Sequence, residues 1–63
     1  MYQFDNDGRE WKRRDISDQR ELWQCLDADY WAVCIVGDEV EHATANWTTS
    51  ASIARAWFNR DND

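Results

Sequence analysis

The side chains best suited to catalysis in this chain are one histidine, His42, and two cysteines, Cys25 and Cys34. A nucleophilic site would need a thiol within hydrogen-bonding reach of the imidazole. The sequence predicts a hairpin over residues 30–44, and its register places Cys34 and His42 on opposite faces of adjacent strands. We therefore predict no catalytic residue, and we expect the chain not to be an enzyme.

Metal and phosphate sites are not predicted either. Two thiols and one imidazole lack the close paired spacing and the fourth ligand of a structural zinc site. The segment Asp5-Asn6-Asp7-Gly8 is similar to the start of a calcium loop, but the bidentate Glu is missing and Trp11 and Lys12 follow. The two glycines are each expected in a hairpin turn, which leaves none for a phosphate loop. No metal and no cofactor is predicted.

The acidic side chains are concentrated in the middle of the chain. The net charge is -6, and no Lys or Arg lies between Arg20 and Arg55. An electrostatic field of one sign mainly affects the choice of binding partner and the rate of association. Tryptophans in or near this segment, including Trp23, could act as aromatic anchors. The predicted partner-binding residues are Asp27, Asp29, Trp31, Asp38, Glu39, Glu41 and Trp47.

These features favour a small non-enzymatic protein-binding module that covers a basic surface of a partner protein. Basic surfaces often bind nucleic acids, so such a module would act as an inhibitor or modulator of a nucleic-acid-handling protein. In composition alone, the chain is similar to small acidic phage or mobile-element products that disable host defences. No family motif supports this similarity.

Two alternatives belong to other classes. A chain of 63 residues has a marginal core, so a homodimer could complete it. Alternatively, a basic strip with an aromatic residue could bind single-stranded nucleic acid by stacking and phosphate contacts. A pI of about 4.5 opposes that third hypothesis. The strip comprises Arg9, Trp11, Lys12, Arg13 and Arg14.

The hydrophobic pattern also bears on location. The longest strongly apolar run, residues 30–36, is too short for a membrane helix. No basic start followed by an apolar stretch and a cleavage site is visible, so no secretory signal is predicted. We expect a cytoplasmic protein with reduced cysteines and no membrane partner.

The first predicted element is a hairpin that turns at Asp7-Gly8. With these two residues as the loop, Phe4 lies opposite Trp11 and Tyr2 opposite Arg13. A three-residue loop with Gly8 in the left-handed region would shift this register by one.

A short helix is predicted next, over residues 18–26. Ser17 and Asp18 are typical helix caps, and Glu21 lies three residues after Asp18, as in a capping box. Leu22 and Cys25 have helical spacing, and Leu26 follows them.

The second half repeats this order. Residues 30–36 predict a central strand, Gly37-Asp38 a turn and residues 39–44 a second strand, with Ile35 opposite Val40, Val33 opposite His42 and Trp31 opposite Thr44. Glu39 and Glu41 would then lie on the outer face.

A final helix is predicted from Thr48 to about Arg60. The predicted fold is α+β, a single two-layer domain over residues 1–63 in ββαββα order. Its antiparallel sheet has up to four strands, with two helices on one face and a frayed tail at 60–63.

Overall fold

The computed structural model describes residues 1–40 and 47–60. They form one five-stranded antiparallel sheet whose strands follow chain order, and one helix. The predicted ββαββα order, with two helices on a four-stranded sheet, is therefore wrong. The elements are β1 Tyr2–Phe4, β2 Glu10–Ile16, β3 Arg20–Cys25, β4 Trp31–Ile35, β5 Trp47–Thr48 and α1 Ala51–Asn59.

The segment predicted as the first helix is the strand β3. Ser17 caps a tight turn instead of a helix, since its hydroxyl accepts the amides of Gln19 and Arg20 at 3.3 and 3.1 Å. Leu22 lies on one face of the sheet and Trp23 on the other, and they are only 1% and 0% exposed. A strand that is buried on both faces shows no alternation of apolar and polar residues, so its apolar spacing cannot be distinguished from that of a short helix.

The first hairpin adopts the three-residue loop. Gly8 has φ +83°, and the amide of Asp5 donates to the carbonyl of Arg9 across the loop. This is the turn with a left-handed glycine that commonly closes such loops. Phe4 therefore lies opposite Glu10, and Trp11 opposite Gln3. The predicted pairing with a two-residue loop is wrong by one position.

The second hairpin is only partly as predicted. The strand over 30–36 is confirmed as β4, and a turn follows it at Gly37, which has φ +88°. Ile35 pairs with Arg20 instead of Val40, and Val40 lies outside any strand and is 2% exposed in the core. The predicted pairs of His42 and Thr44 lie outside the described residues. The partner of β4 on this side is β5, where Trp31 faces Thr48.

The final helix is confirmed over the shorter range of α1. Ser50 is its N-cap, and its side chain accepts the amide of Ile53 at 3.2 Å. Thr48, predicted as the start of this helix, belongs to β5. Arg60 is the C-cap, and its amide donates to the carbonyl of Trp57. The rest of the predicted frayed tail, residues 61–63, lies outside the described residues.

The sheet is covered on both sides. On the helix face, α1 places Ala54 and Phe58 against Leu22 and Val33. The other side, which we call the tryptophan face, holds a larger cluster that includes Val40 from the segment after β4. Because Ala32 and Cys34 belong to this cluster, the face beside them is core and not the acidic outer face predicted for Glu39 and Glu41. The tryptophan-face cluster contains Trp11, Trp23, Cys25, Ala32, Cys34 and Val40.

A β-bulge interrupts β2. Arg13 pairs with Trp23 and Asp15 with Leu22, so Arg14 is one extra residue on this strand. A bulge re-aims the side chains that follow it. Asp15 consequently lies on the helix face, where it forms an ion pair with Arg55 of α1 at 2.6 Å.

Candidate functional site

Two turns meet at one end of the sheet and form an acidic surface. The β1–β2 turn and the β3–β4 turn are joined by two hydrogen bonds, from the amide of Glu10 to the carboxylate of Asp27 at 2.7 Å and from the amide of Leu26 to the carbonyl of Glu10 at 2.8 Å. Residues 5–10 and 26–30 hold five carboxylates and a single guanidinium, that of Arg9. We call this surface the acidic end. Its carboxylates are Asp5, Asp7, Glu10, Asp27 and Asp29.

Asp5 organises the acidic end. Its carboxylate accepts the amides of Asp7 and Arg9, the guanidinium of Arg9 and the indole N–H of Trp11, all at 2.9–3.0 Å. Burial acts to raise the pKa of Asp5, but these hydrogen bonds, with Trp11 the strongest, lower it to about 2. Asp5 is therefore ionised at neutral pH and fixes both Arg9 and the Trp11 ring.

Asp29 and Asp27 are the exposed carboxylates of the β3–β4 turn. Asp27 uses one oxygen to hold Glu10. Among the described residues, neither carboxylate has a cationic partner. Their charge is therefore available to an approaching molecule.

An aromatic cleft opens beside the acidic end on the tryptophan face. Tyr30 and Trp47 meet edge to face with ring centroids 4.6 Å apart, and the guanidinium carbon of Arg9 lies 5.5 Å from the Tyr30 ring centre. Trp47 is 46% exposed. The described residues enclose a cavity of about 120 Å³ there, bounded by Trp11 and Val40 among others. A large aromatic side chain is thus presented next to a concentration of negative charge.

The structure brings together only part of the predicted partner-binding set. Asp27, Asp29 and Trp47 lie at or beside the acidic end. Asp38 lies beyond the opposite end of β4, where its amide donates to the carbonyl of Ile35, and exposed Glu39 follows it.

The tryptophans of that set are also separated. Trp31 is half-buried on the helix face, where it packs against the core beneath α1. Trp23 is fully buried, so it cannot be an exposed anchor. Glu41 lies outside the described residues.

The predicted basic strip is divided between the two faces. Trp11 is 6% exposed on the tryptophan face, and Arg13 on the same face lies 3.7 Å from the carboxylate of Glu21. Arg9 forms ion pairs with Asp5 and Asp7. The remaining two residues lie on the helix face, with Arg14 donating to Gln24 and Lys12 lying over the Tyr2 ring. The five residues do not form one surface.

A buried carboxylate on the tryptophan face has a structural role. Glu21 is 4% exposed and accepts the indole N–H of Trp23 at 2.9 Å and the amide of Gly37 at 3.0 Å. Burial, with a smaller contribution from the charge of Glu21, raises the pKa of the Cys34 thiol to about 11. Cys34 is therefore a protonated core residue at neutral pH.

The described residues show neither a metal site nor a membrane-spanning helix. Within ranges 1–40 and 47–60, no group of three or more His, Cys, Asp or Glu side chains is placed to hold a metal ion. In the same part of the chain, no helix has the length and apolar character needed to cross a bilayer. No protein-family model, no curated protein and no solved structure matches the chain.

Three of the five carboxylates of the acidic end are not in the predicted partner-binding set. Asp5, Asp7 and Glu10 lie near arginines in the sequence, so their charges give no local excess that would mark them as part of an acidic surface. In an antiparallel meander alternate turns lie at the same end of the sheet. The order of strands and turns therefore predicts that the two acidic turns are neighbours, but only if β3 is recognised as a strand.

Proposed function

We propose that this protein is a non-enzymatic binding module that uses the acidic end and the adjacent Trp47 to bind a basic surface of a partner protein. The proposed partner is a nucleic-acid-handling protein, and the module would inhibit or modulate it by covering its basic surface. The observation that carries the proposal is the joining of the two acidic turns next to Trp47, which is 46% exposed and meets the partly buried Tyr30 edge to face.

In this proposal, charge and aromatic contact affect different rates of binding. Unpaired carboxylates attract a basic partner and raise the association rate, and this effect weakens with salt. An aromatic anchor that becomes buried on binding slows dissociation. Asp27 and Asp29 would supply the first effect and Trp47 the second.

The proposal is tested by affinity capture from a nuclease-treated lysate with three baits. The wild-type bait is compared with the double variant Asp27→Asn, Asp29→Asn, which keeps an oxygen to accept the Glu10 amide. The matched control is Asp18→Asn, an exposed carboxylate in the β2–β3 turn at the other end of the sheet. We expect basic proteins that are retained by the wild type and the control to be lost from the double variant.

Binding kinetics with a captured protein make the test quantitative. The double variant should associate about 5- to 10-fold more slowly at low salt with little change in dissociation, whereas Trp47→Ala should mainly speed dissociation. Equal retention of the same proteins by the wild type and the double variant would place the binding surface elsewhere.

A homodimer is a second candidate, favoured by β1, which is an edge strand of the sheet and has no neighbour on its outer side in the described part of the chain. Arg13 donates to the carbonyl of Met1, and Asp5 to that of Arg9, so this pairing pattern points the main-chain groups of Tyr2 and Phe4 away from β2. A second copy could pair there. Sedimentation equilibrium over a wide concentration range would detect the dimer, and a constant monomer mass up to millimolar protein would exclude it.

A further inference from the structure

The half of the helix face that α1 does not cover carries aromatic and basic side chains. Helix α1 packs mainly on β3, β4 and β5, so it leaves the β1–β2 half of this face uncovered among residues 1–40 and 47–60. Tyr2 and Phe4 are 54% and 66% exposed there. Cross-strand pairing sets Tyr2 beside Lys12, and Lys12 beside Gln24. We call this surface the open face. It comprises Tyr2, Phe4, Lys12, Arg14 and Gln24.

The charge of the open face is opposite to that of the chain as a whole. Lys12 and Arg14 have no carboxylate partner among the described residues. Two acidic residues lie on the same side of β2: Asp15, which forms an ion pair with Arg55, and Glu10, which lies opposite Phe4 at the acidic end. A small positive surface is thus bounded on one side by the acidic end.

The side chains of the open face are positioned before any ligand binds. The ammonium of Lys12 lies 5.8 Å from the Tyr2 ring centre. The Nε of Arg14 donates to the side-chain oxygen of Gln24 at 2.8 Å, which holds the guanidinium over the sheet and leaves its terminal nitrogens as donors. Arg14 lies two residues after Lys12 on β2, so strand alternation places both cations on the same face.

We propose that the open face binds single-stranded nucleic acid, with bases stacked on Tyr2 and Phe4 and phosphates contacted by Lys12 and Arg14. Side chains two residues apart on a strand are separated by about 7 Å, which allows two neighbouring unstacked bases to be accommodated. Stacking on aromatic rings tolerates any base, and cations beside the rings follow the backbone. Base-paired strands are disfavoured because their rings are already stacked inside the helix.

This surface is independent of the acidic end and includes neither Trp11 nor Arg13. It also explains how a chain with a net charge of -6 could bind a polyanion. The described carboxylates lie mainly in turns at the ends of the sheet, so we expect a bound strand to extend from Phe4 toward Arg14 and away from Glu10. Binding should accordingly be weak and strongly dependent on salt.

The test measures fluorescence anisotropy of a labelled oligodeoxythymidine of about ten nucleotides, a length within the usual range of such sites, at low salt. The wild type should bind and should not be displaced by duplex DNA of the same length. In the double variant Lys12→Gln, Arg14→Gln, affinity should fall at least about 10-fold, and the slope of log K against log salt should decrease by about 1.4 because two phosphate contacts are lost. Phe4→Ala should weaken binding about 5-fold or more without changing that slope.

Arg60→Gln is the control variant, because Arg60 is an exposed cation at the C-terminal end of α1, away from the open face. It should bind like the wild type, and circular dichroism should show that every variant keeps the fold. Absence of binding at low salt would overturn the proposal. So would equal affinity of the wild type and the Lys12, Arg14 double variant, or displacement by the duplex as efficient as by the single strand.

Discussion

Replacing Asp5 with alanine should destabilise the protein more than any other change at the acidic end. The Asp5 carboxylate accepts four hydrogen bonds, and its side chain is 9% exposed. A hydrogen bond contributes about 1 kcal/mol net, and a donor left unpaired in a part-buried site costs about 1–3 kcal/mol. Because some donors would be rehydrated, we expect the free energy of unfolding to fall by about 3 kcal/mol.

The pH dependence of the free energy of unfolding provides a second, independent test of the role of Asp5. The pKa of Asp5 is lowered from 3.8 to about 2 in the folded protein. The folded state therefore binds this proton less readily than the unfolded state, so the stabilisation is complete above about pH 4 and is lost as the pH falls toward 2. The shift corresponds to about 2 kcal/mol, reduced to about 1 by solvent screening.

Urea unfolding followed by tryptophan fluorescence, from pH 7 to pH 2, measures both effects. Asp7→Ala is the matched control, since Asp7 is in the same turn with a side chain that is 73% exposed and a single ion pair to Arg9; it should cost at most about 0.5 kcal/mol. Asp5→Asn keeps one acceptor oxygen, so its loss of free energy of unfolding should lie between those of Asp5→Ala and Asp7→Ala. A loss for Asp5→Ala no larger than for Asp7→Ala would refute the assigned role of the carboxylate, as would a wild-type acid transition unchanged in the Asp5 variants.

Two further predictions concern the tryptophan face. Burial raises the pKa of Cys34 to about 11, so iodoacetamide should label this thiol at pH 8 at least about 100-fold more slowly than it labels the thiol of a model peptide. Mass spectrometry of the native protein after timed labelling measures this rate. Rapid labelling of Cys34 without unfolding would contradict the prediction. Glu21→Ala should lower the free energy of unfolding by about 3 kcal/mol, because it leaves the Trp23 indole and the Gly37 amide without an acceptor. The control Asp18→Ala, at an exposed position, should change the free energy of unfolding by less than about 0.5 kcal/mol. Chemical denaturation of both variants measures the two losses.

Local signals in the sequence were sufficient for some elements. The apolar, β-branched run before Gly37 predicted β4, and the hydroxyl residues before an apolar helical pattern predicted α1. Both elements combine a strong residue preference with a clear turn or cap. The glycine in the first hairpin also predicted a turn, but the choice between two- and three-residue loops depends on how the strands pair. Sequence alone left that choice open.

The largest error, the helix predicted where β3 lies, has a clear physical origin. The strand β3 carries Leu22 and Trp23 on opposite faces, and both are buried because the sheet is covered on both sides. Local propensity cannot reveal that coverage, since it arises from α1 on one face and Val40 on the other. Once β3 was read as a helix, the two turns that form the acidic end could not be placed together. Part of the candidate site, Asp27, Asp29 and Trp47, was nevertheless named from charge and aromatic content.

The bulge gives β2 one residue that its pairing with β3 does not use. Arg13 pairs with Trp23 and Asp15 with Leu22, so removing Arg14 would restore regular pairing and leave every other side chain of β2 on its present face. Trp11 would stay in the core, and Asp15 would stay beside Arg55. Strand β3 has no extra residue, and Leu22 and Trp23 are buried on its opposite faces, so losing one residue there would exchange the faces of the residues on one side of the deletion. Variation in the length of this small protein should therefore be tolerated in its turns and at the bulge, and excluded from β3.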